Sequence, residues 1–281
     1  MISDNHISAT STNVPVAHSR WPSNLMQSSN TAAVVAAMSD GRIGYALQPV
    51  RSIERPTSEL YRECLVRLVD EAGGIREPFH FVPQLEACGD IGLLDEHMIG
   101  LALEELEASI EAVLGCNISA DTMQSDSAWP RIRDRISSRP WLASRLIIEI
   151  TETHPVEDVG KLLINMSEAR GLGCRIAIDD FGAGFFSPSL LLCLEVDLVK
   201  VDASMLQTIR KRDTGASTLQ HIIGFAACVA PIVVLEGVEF DEHLELACEA
   251  GATHVQGYLI ARPVVHRLRG SSMPLEEGMR C

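Results

Sequence analysis

From residue 43 onward, short apolar runs alternate with longer stretches in which apolar residues recur every three or four positions. Runs such as "LIIEIT" and "IVVL", rich in β-branched residues, read as strands buried on both faces; the longer stretches read as amphipathic helices. Strands are expected at "YALQPV" (45–50), "GCNIS" (115–119), "RLIIEIT" (145–151), "RIAIDD" (175–180), "VDLVKVD" (196–202), "IVVLEG" (232–237) and "HVQGYL" (254–259). Helices are expected at 97–114, at 156–173 with Gly171 closing it, at 217–229 and at 241–251. The segment 58–73, "SELYRECLVRLVDEAG", mixes strand and helix signals.

Repeated strand–helix units favour a parallel sheet with helices around it. About eight strand candidates in roughly 220 residues suit a TIM-type barrel better than an open sheet. A doubly wound sheet is the alternative, but no Gly-rich dinucleotide fingerprint follows the first strand. Residues 1–40, rich in Ser, Thr and Asn, read as a flexible arm in which "AAVVAAM" is the one helical stretch. The folded domain is expected over 41–265, with 266–281 as a tail.

Composition narrows the partners. Thirty-eight acidic against 23 basic residues leave a formal net charge of −15, which disfavours binding to long nucleic acid. A small phosphorylated ligand stays compatible if a metal or a few placed cations neutralise it. Eight cysteines without a CxxC pair, several in apolar segments such as Cys116 and Cys228, read as buried hydrophobes in a reducing compartment. The longest apolar run, Ile222 to Leu235, is 14 residues long and contains Pro231, so no membrane span is expected. With no signal pattern at the N-terminus, the cytoplasm is the expected location.

The chemistry lies at the strand ends. Asn117 follows "LGC", Glu149 sits in "LIIEIT", Asp179 and Asp180 end "RIAI", Lys200 lies in "DLVKVD", Glu236 ends "IVVL" and Gln256 ends "HV". Singly, each is explained by a helix cap or a solvated end. Together, on a barrel whose strands end at one rim, they converge. Neighbouring carboxylates repel unless a cation sits among them, and amide and carboxylate oxygens form a hard set suited to Mg²⁺ or Mn²⁺. Paired ions of this kind serve in-line displacement at phosphorus, with Lys200 placed to orient water or stabilise developing charge.

These segments carry a resemblance. "ECLVR" (63–67), "FVPQLEACGDI", "CNIS", "EITET", "IAIDDFGAG", "VDLVKVD", "LEGVE" and "VQGYLIARP" stand in the order and at the spacings of EAL-domain phosphodiesterases. That family hydrolyses the bacterial second messenger cyclic di-GMP, and the match spans roughly Tyr45 to Pro263. The resemblance implies a modified TIM (β/α)8 barrel with one antiparallel strand, and a homodimer. It implies two Mg²⁺ or Mn²⁺ ions, with Ca²⁺ inhibitory, held by Glu63, Asn117, Glu149, Asp179, Asp180 and Glu236. Lys200 resembles the lysine at the attacking water, and Glu236 has also been viewed as a general base. Gln48 resembles a guanine contact, Arg67 a phosphate contact, Gln256 and Glu239 residues completing the site, and Glu152 the glutamate that fixes the loop after Asp180.

The chain departs from the family in that loop. Phe185, Phe186, Ser187 and Pro188 replace the usual Tyr-Ser-Ser-Leu, and Cys64 replaces the signature alanine. A proline there fixes φ and removes a donor, so loop closure and dimer-coupled activation are expected to suffer. Harmless packing is the alternative, and a catalytically silent receptor or protein-interaction module is the corresponding alternative function.

Overall fold

The computed structural model describes residues 27–151, 153–207 and 217–268. The strands are β1 (Ile43–Ser52), β2 (Glu59–Val69), β3 (Ile75–Arg76), β4 (Leu114–Ser119), β5 (Leu146–Thr151), β6 (Arg175–Phe181), β7 (Leu198–Val201), β8 (Ile232–Leu235), β9 (His254–Val255) and β10 (Val264–Arg267). The α-helices are α1 (Gln27–Ser39), α2 (Val82–Cys88), α3 (Ile91–Ala108), α4 (Ala120–Gln124), α5 (Ala128–Ser137), α6 (Val159–Gly171), α7 (Pro188–Leu191), α8 (Ser204–Gln207), α9 (Thr218–Val229) and α10 (Asp241–Ala250).

Eight strands close into a barrel in the order β1-β9-β8-β7-β6-β5-β4-β2, with β2 returning to β1. Only β1 is antiparallel to its barrel neighbours, β2 and β9; the other pairings around the ring are parallel. The barrel with one reversed strand is therefore as expected. β3 and β10 extend the wall at the two ends of the sheet. In β5, Ile147, Ile148 and Ile150 are all buried, because the barrel interior takes one face and the helices take the other.

The mixed segment resolves as strand. β2 pairs with β1 through Gln48↔Glu63 and beyond, and this long antiparallel hairpin overrides the local helical signal. Other boundaries move for similar reasons. α3 ends at Ala108 rather than 114, because Arg145 donates to the carbonyls of Leu106, Ser109 and Ala112 and ends the helix from outside. Gly171 is still helical; the residue that reverses the chain is Gly173, at φ 104°. Cys228 is exposed on α9, unlike the buried Cys116.

The expected arm and tail both contribute to the fold. Val34 and Ala37 of α1 are buried, and β10 carries His266 and Arg267 into register with β1. Neither short element shows the periodicity of a core helix or strand in the sequence; packing against a finished barrel orders them.

Candidate active site

The strand period of two stacks the barrel interior in layers. Val50, Tyr61, Ile147, Ala177, Leu198 and Val234 form one fully buried apolar cluster. Two positions further toward the C-terminal rim come the polar residues: Glu63 above Tyr61, Glu149 above Ile147, Asp179 above Ala177, Lys200 above Leu198 and Glu236 above Val234. Gln48 faces Glu63 across the antiparallel pair, and Asn117 is level with Glu149. An apolar floor thus carries a polar layer, of which Gln48, Glu63, Asn117, Asp179 and Glu236 line a cavity of about 440 Å³, while Glu149 and Lys200 are fully buried.

Lys200 stands at the centre with no exposed surface. Its Nζ lies 2.7 Å from Glu149 Oε2, 2.9 Å from Asp179 Oδ1, 2.9 Å from Glu236 Oε1 and 3.0 Å from Glu63 Oε2. Burial works against the ammonium, but Asp179, Glu149, Glu236 and Glu63 outweigh it and hold its pKa well above the ordinary value. One cation cannot satisfy four carboxylates. Burial and mutual repulsion push Glu149 and Glu236 well above the usual carboxylate range, against the pull of Lys200. Glu63 goes the other way. Lys200 and hydrogen bonds from Gln256 and Asn117 overcome its burial and lower its pKa.

Amides fix the remaining orientations. Gln256 Nε2 donates to Glu63 Oε2 at 2.7 Å, and Asn117 Nδ2 donates to Glu63 Oε1 at 2.8 Å. Gln48 Nε2 donates to the Ala261 carbonyl at 3.0 Å. Asp180, at the rim, has φ 53°, a left-handed conformation that aspartate tolerates better than most residues. Burial, followed by repulsion from Asp179, lifts its carboxyl to about 7.

The donor set fits divalent metal. Glu63, Glu149 and Asp179 offer oxygens within 4.8 Å of one another, and so do Asp179, Asp180 and Glu236. The two groups share Asp179 and contain neither thiol nor imidazole, the composition preferred by Mg²⁺ or Mn²⁺. Glu149 Oε1 and Asn117 Oδ1 are buried without a hydrogen bond, and Glu149 Oε2 and Asp179 Oδ1 face the Lys200 ammonium, an arrangement of oxygens suited to cations. When all five carboxylates are ionised, the single ammonium of Lys200 offsets one and leaves four negative charges, which two divalent ions would cancel.

Other expected residues sit differently. Glu239 is exposed on the cavity wall. Arg67 shares the inward face of β2 with Glu63, yet it does not line the cavity, because its guanidinium donates to the carbonyls of Val66 and Leu65. Glu152 lies outside the described residues. The loop departures are absorbed locally: Phe186 is buried in the main core, while Ser187 caps α7 and Pro188 takes its first turn, where a missing N–H costs nothing. Phe185 is exposed.

Two contributors escaped the sequence reading. Tyr61 lies directly below the site, and Gly115 leaves the room that the Glu149 carboxylate occupies: a Cβ there would lie 1.8 Å from Glu149 Oε1. A glycine inside a strand marks such close approach, so Gly115 carried a signal; Tyr61 carried none.

Comparison with known proteins agrees with this geometry. The EAL domain family profile matches residues 31–263. An uncharacterized signaling protein of Caulobacter vibrioides is 30% identical over 202 residues, 72% of this chain and 25% of that protein. The cyclic di-GMP phosphodiesterase PdeF of Escherichia coli is 27% identical over 220 residues, 77% of this chain and 29% of PdeF. The chain thus spans between a quarter and a third of the length of these curated relatives. Among solved structures, an EAL domain protein from Listeria monocytogenes superposes with a TM-score of 0.70 at 24% identity, over 83% of this chain and 93% of that one. The PaMucR phosphodiesterase in complex with c-di-GMP superposes with a TM-score of 0.70 at 23% identity, over 84% and 97%. With the profile spanning the whole barrel and its polar rim, the chain belongs to the EAL-domain family.

Proposed function

We propose that the protein is a Mg²⁺- or Mn²⁺-dependent phosphodiesterase that opens cyclic di-GMP to linear pGpG. The observation that carries this reading is the pair of carboxylate groups sharing Asp179 at one barrel rim. Kinship with PdeF, named a cyclic di-GMP phosphodiesterase, supports the substrate. Glu63, Asn117, Glu149, Asp179, Asp180 and Glu236 are the residues that would hold the metal. Bound there, such ions supply Lewis acidity and a water acidic enough to ionise near neutral pH.

The chain's own groups do the rest. Lys200, held cationic, orients the attacking water and offsets charge gathering on phosphorus. Glu236 is partly exposed at the cavity, which suits it to accept a proton. Gln48, Gln256 and Glu239 line the cavity as contacts for the nucleotide. Arg67 reaches a phosphate by exchanging its bond to the Val66 carbonyl. In a protein of net charge −15, these local cations are what admits a doubly charged ligand. A homodimer belongs to the same reading by family likeness.

The test is incubation of the purified protein with cyclic di-GMP and Mn²⁺, followed by chromatography for pGpG. Product that vanishes with EDTA supports the enzyme. Tight binding of the dinucleotide with no product selects a silent receptor instead.

A further inference from the structure

Tyr61 precedes Glu63 by two residues on β2 and so faces the same interior, one layer lower. It is fully buried among Ile147, Ala177 and Leu198. Its hydroxyl has no hydrogen-bond partner, and neither has Glu149 Oε1. The two side chains meet over Gly115. A Cβ at that position would lie 1.8 Å from Glu149 Oε1 and 2.5 Å from Tyr61 Cε2, the ring carbon next to the one bearing the hydroxyl. Phenol and carboxylate therefore share the hollow that the missing side chain leaves. Lys200 approaches the other oxygen, Oε2, at 2.7 Å, so Oε1 is the one on the Tyr61 side.

A buried donor without an acceptor and a buried acceptor without a donor are each costly to leave unmade. Here both occupy one hollow, and donation from the phenol to the carboxylate resolves both. We propose that Tyr61 is a positioning residue for Glu149: its hydroxyl donates, directly or through one buried water, to the carboxylate when that group serves as a metal ligand, and Gly115 provides the space. The inference rests on the metal-site reading above. Hydrogen bonds that orient metal-binding carboxylates commonly govern metal affinity by 10- to 100-fold.

The experiment compares wild type with Tyr61→Phe by isothermal titration with Mn²⁺ alone, alongside metal-free melting temperatures. The variant keeps the ring, so a residue that merely fills space would leave the affinity unchanged. The expected result is Mn²⁺ binding weaker by about 10-fold or more. The metal-free melting temperature should be equal or higher, since an unpartnered buried hydroxyl has been removed. Wild-type Mn²⁺ affinity in Tyr61→Phe overturns the role of Tyr61 while leaving the metal site standing. No Mn²⁺ binding by the wild type would overturn the metal site, and this inference with it.

Discussion

Lys200 Nζ sits 2.7 Å from Glu149 Oε2, and neither side chain has exposed surface. The pair joins β7 to β5 at the barrel centre, where each charge is tolerable only because of the other. Without metal, Lys200 is the cation that keeps the carboxylate layer together. Lys200→Met is therefore expected to destabilise the metal-free protein by about 3–5 kcal/mol. Mn²⁺ should then raise the stability of the variant more than that of wild type. Urea unfolding with and without Mn²⁺ checks both parts; equal Mn²⁺ shifts in the two proteins would contradict them.

Metal identity should follow ligand geometry. Turnover is expected with Mg²⁺ or Mn²⁺, to be abolished by EDTA, and to fall when Ca²⁺ replaces either, because Ca²⁺ accepts a looser and larger oxygen shell. A pGpG assay across the three ions decides the matter. Full activity in Ca²⁺ would argue that the oxygens at this rim do not position the nucleophile.

Asp95 on α3 gives stability a pH dependence separate from the site. Its Oδ2 accepts from Ser119 N at 3.0 Å and from Thr122 Oγ1 at 2.6 Å. Burial lifts its pKa from 3.8 to about 7 against those two bonds, with Glu86 and Asp121 adding to the rise. The folded state thus holds this proton more tightly than the unfolded chain does. The contribution is complete below about pH 4 and is lost as pH rises to about 7, an effect of up to ~4 kcal/mol. Asp95→Asn keeps an accepting oxygen and carries no titrating proton. It is expected to melt higher than wild type at pH 8 with the gap closing at pH 5, as calorimetry at the two pH values would show.

Gly257 lets the chain after β9 lie against the segment after β8. A Cβ there would meet Val238 N and Val238 O at 2.3 Å. Gly257→Ala is expected to cost about 1–3 kcal/mol and to loosen the 2.7 Å bond from Gln256 to Glu63. Denaturation and turnover should therefore decline together; a variant with wild-type stability would mean that the backbone yields freely.

The two phenylalanines of the loop should behave in opposite ways. Phe186→Ala removes a side chain packed in the core and is expected to cost about 3–5 kcal/mol. Phe185→Ala removes one that is 55% exposed and should leave stability within ~0.5 kcal/mol. Paired urea titrations measure the difference.

Much of this architecture was legible because strand and helix periods differ. The runs around Glu149, Asp179 and Lys200 could only be buried strands, and a polar residue inside each could not be there for packing. Segment 58–73 was not legible, since a hairpin partner decides its state and local propensity does not. Arg145 ended α3 from 36 residues away in sequence, and no window centred on the helix contains it.

Sequence alone favoured a barrel over an open sheet and, outside segment 58–73, located strands and the acidic and amide residues at their ends, because alternation and residue chemistry are local properties. Only the tertiary structure decided that one ammonium would stand among four carboxylates, that Arg67 would turn to its own backbone, that Phe186 would join the core, and that Gly115 would leave a hollow for Glu149 and Tyr61. Those outcomes depend on distances between strands far apart in the chain, and distance across a closed barrel is set by packing.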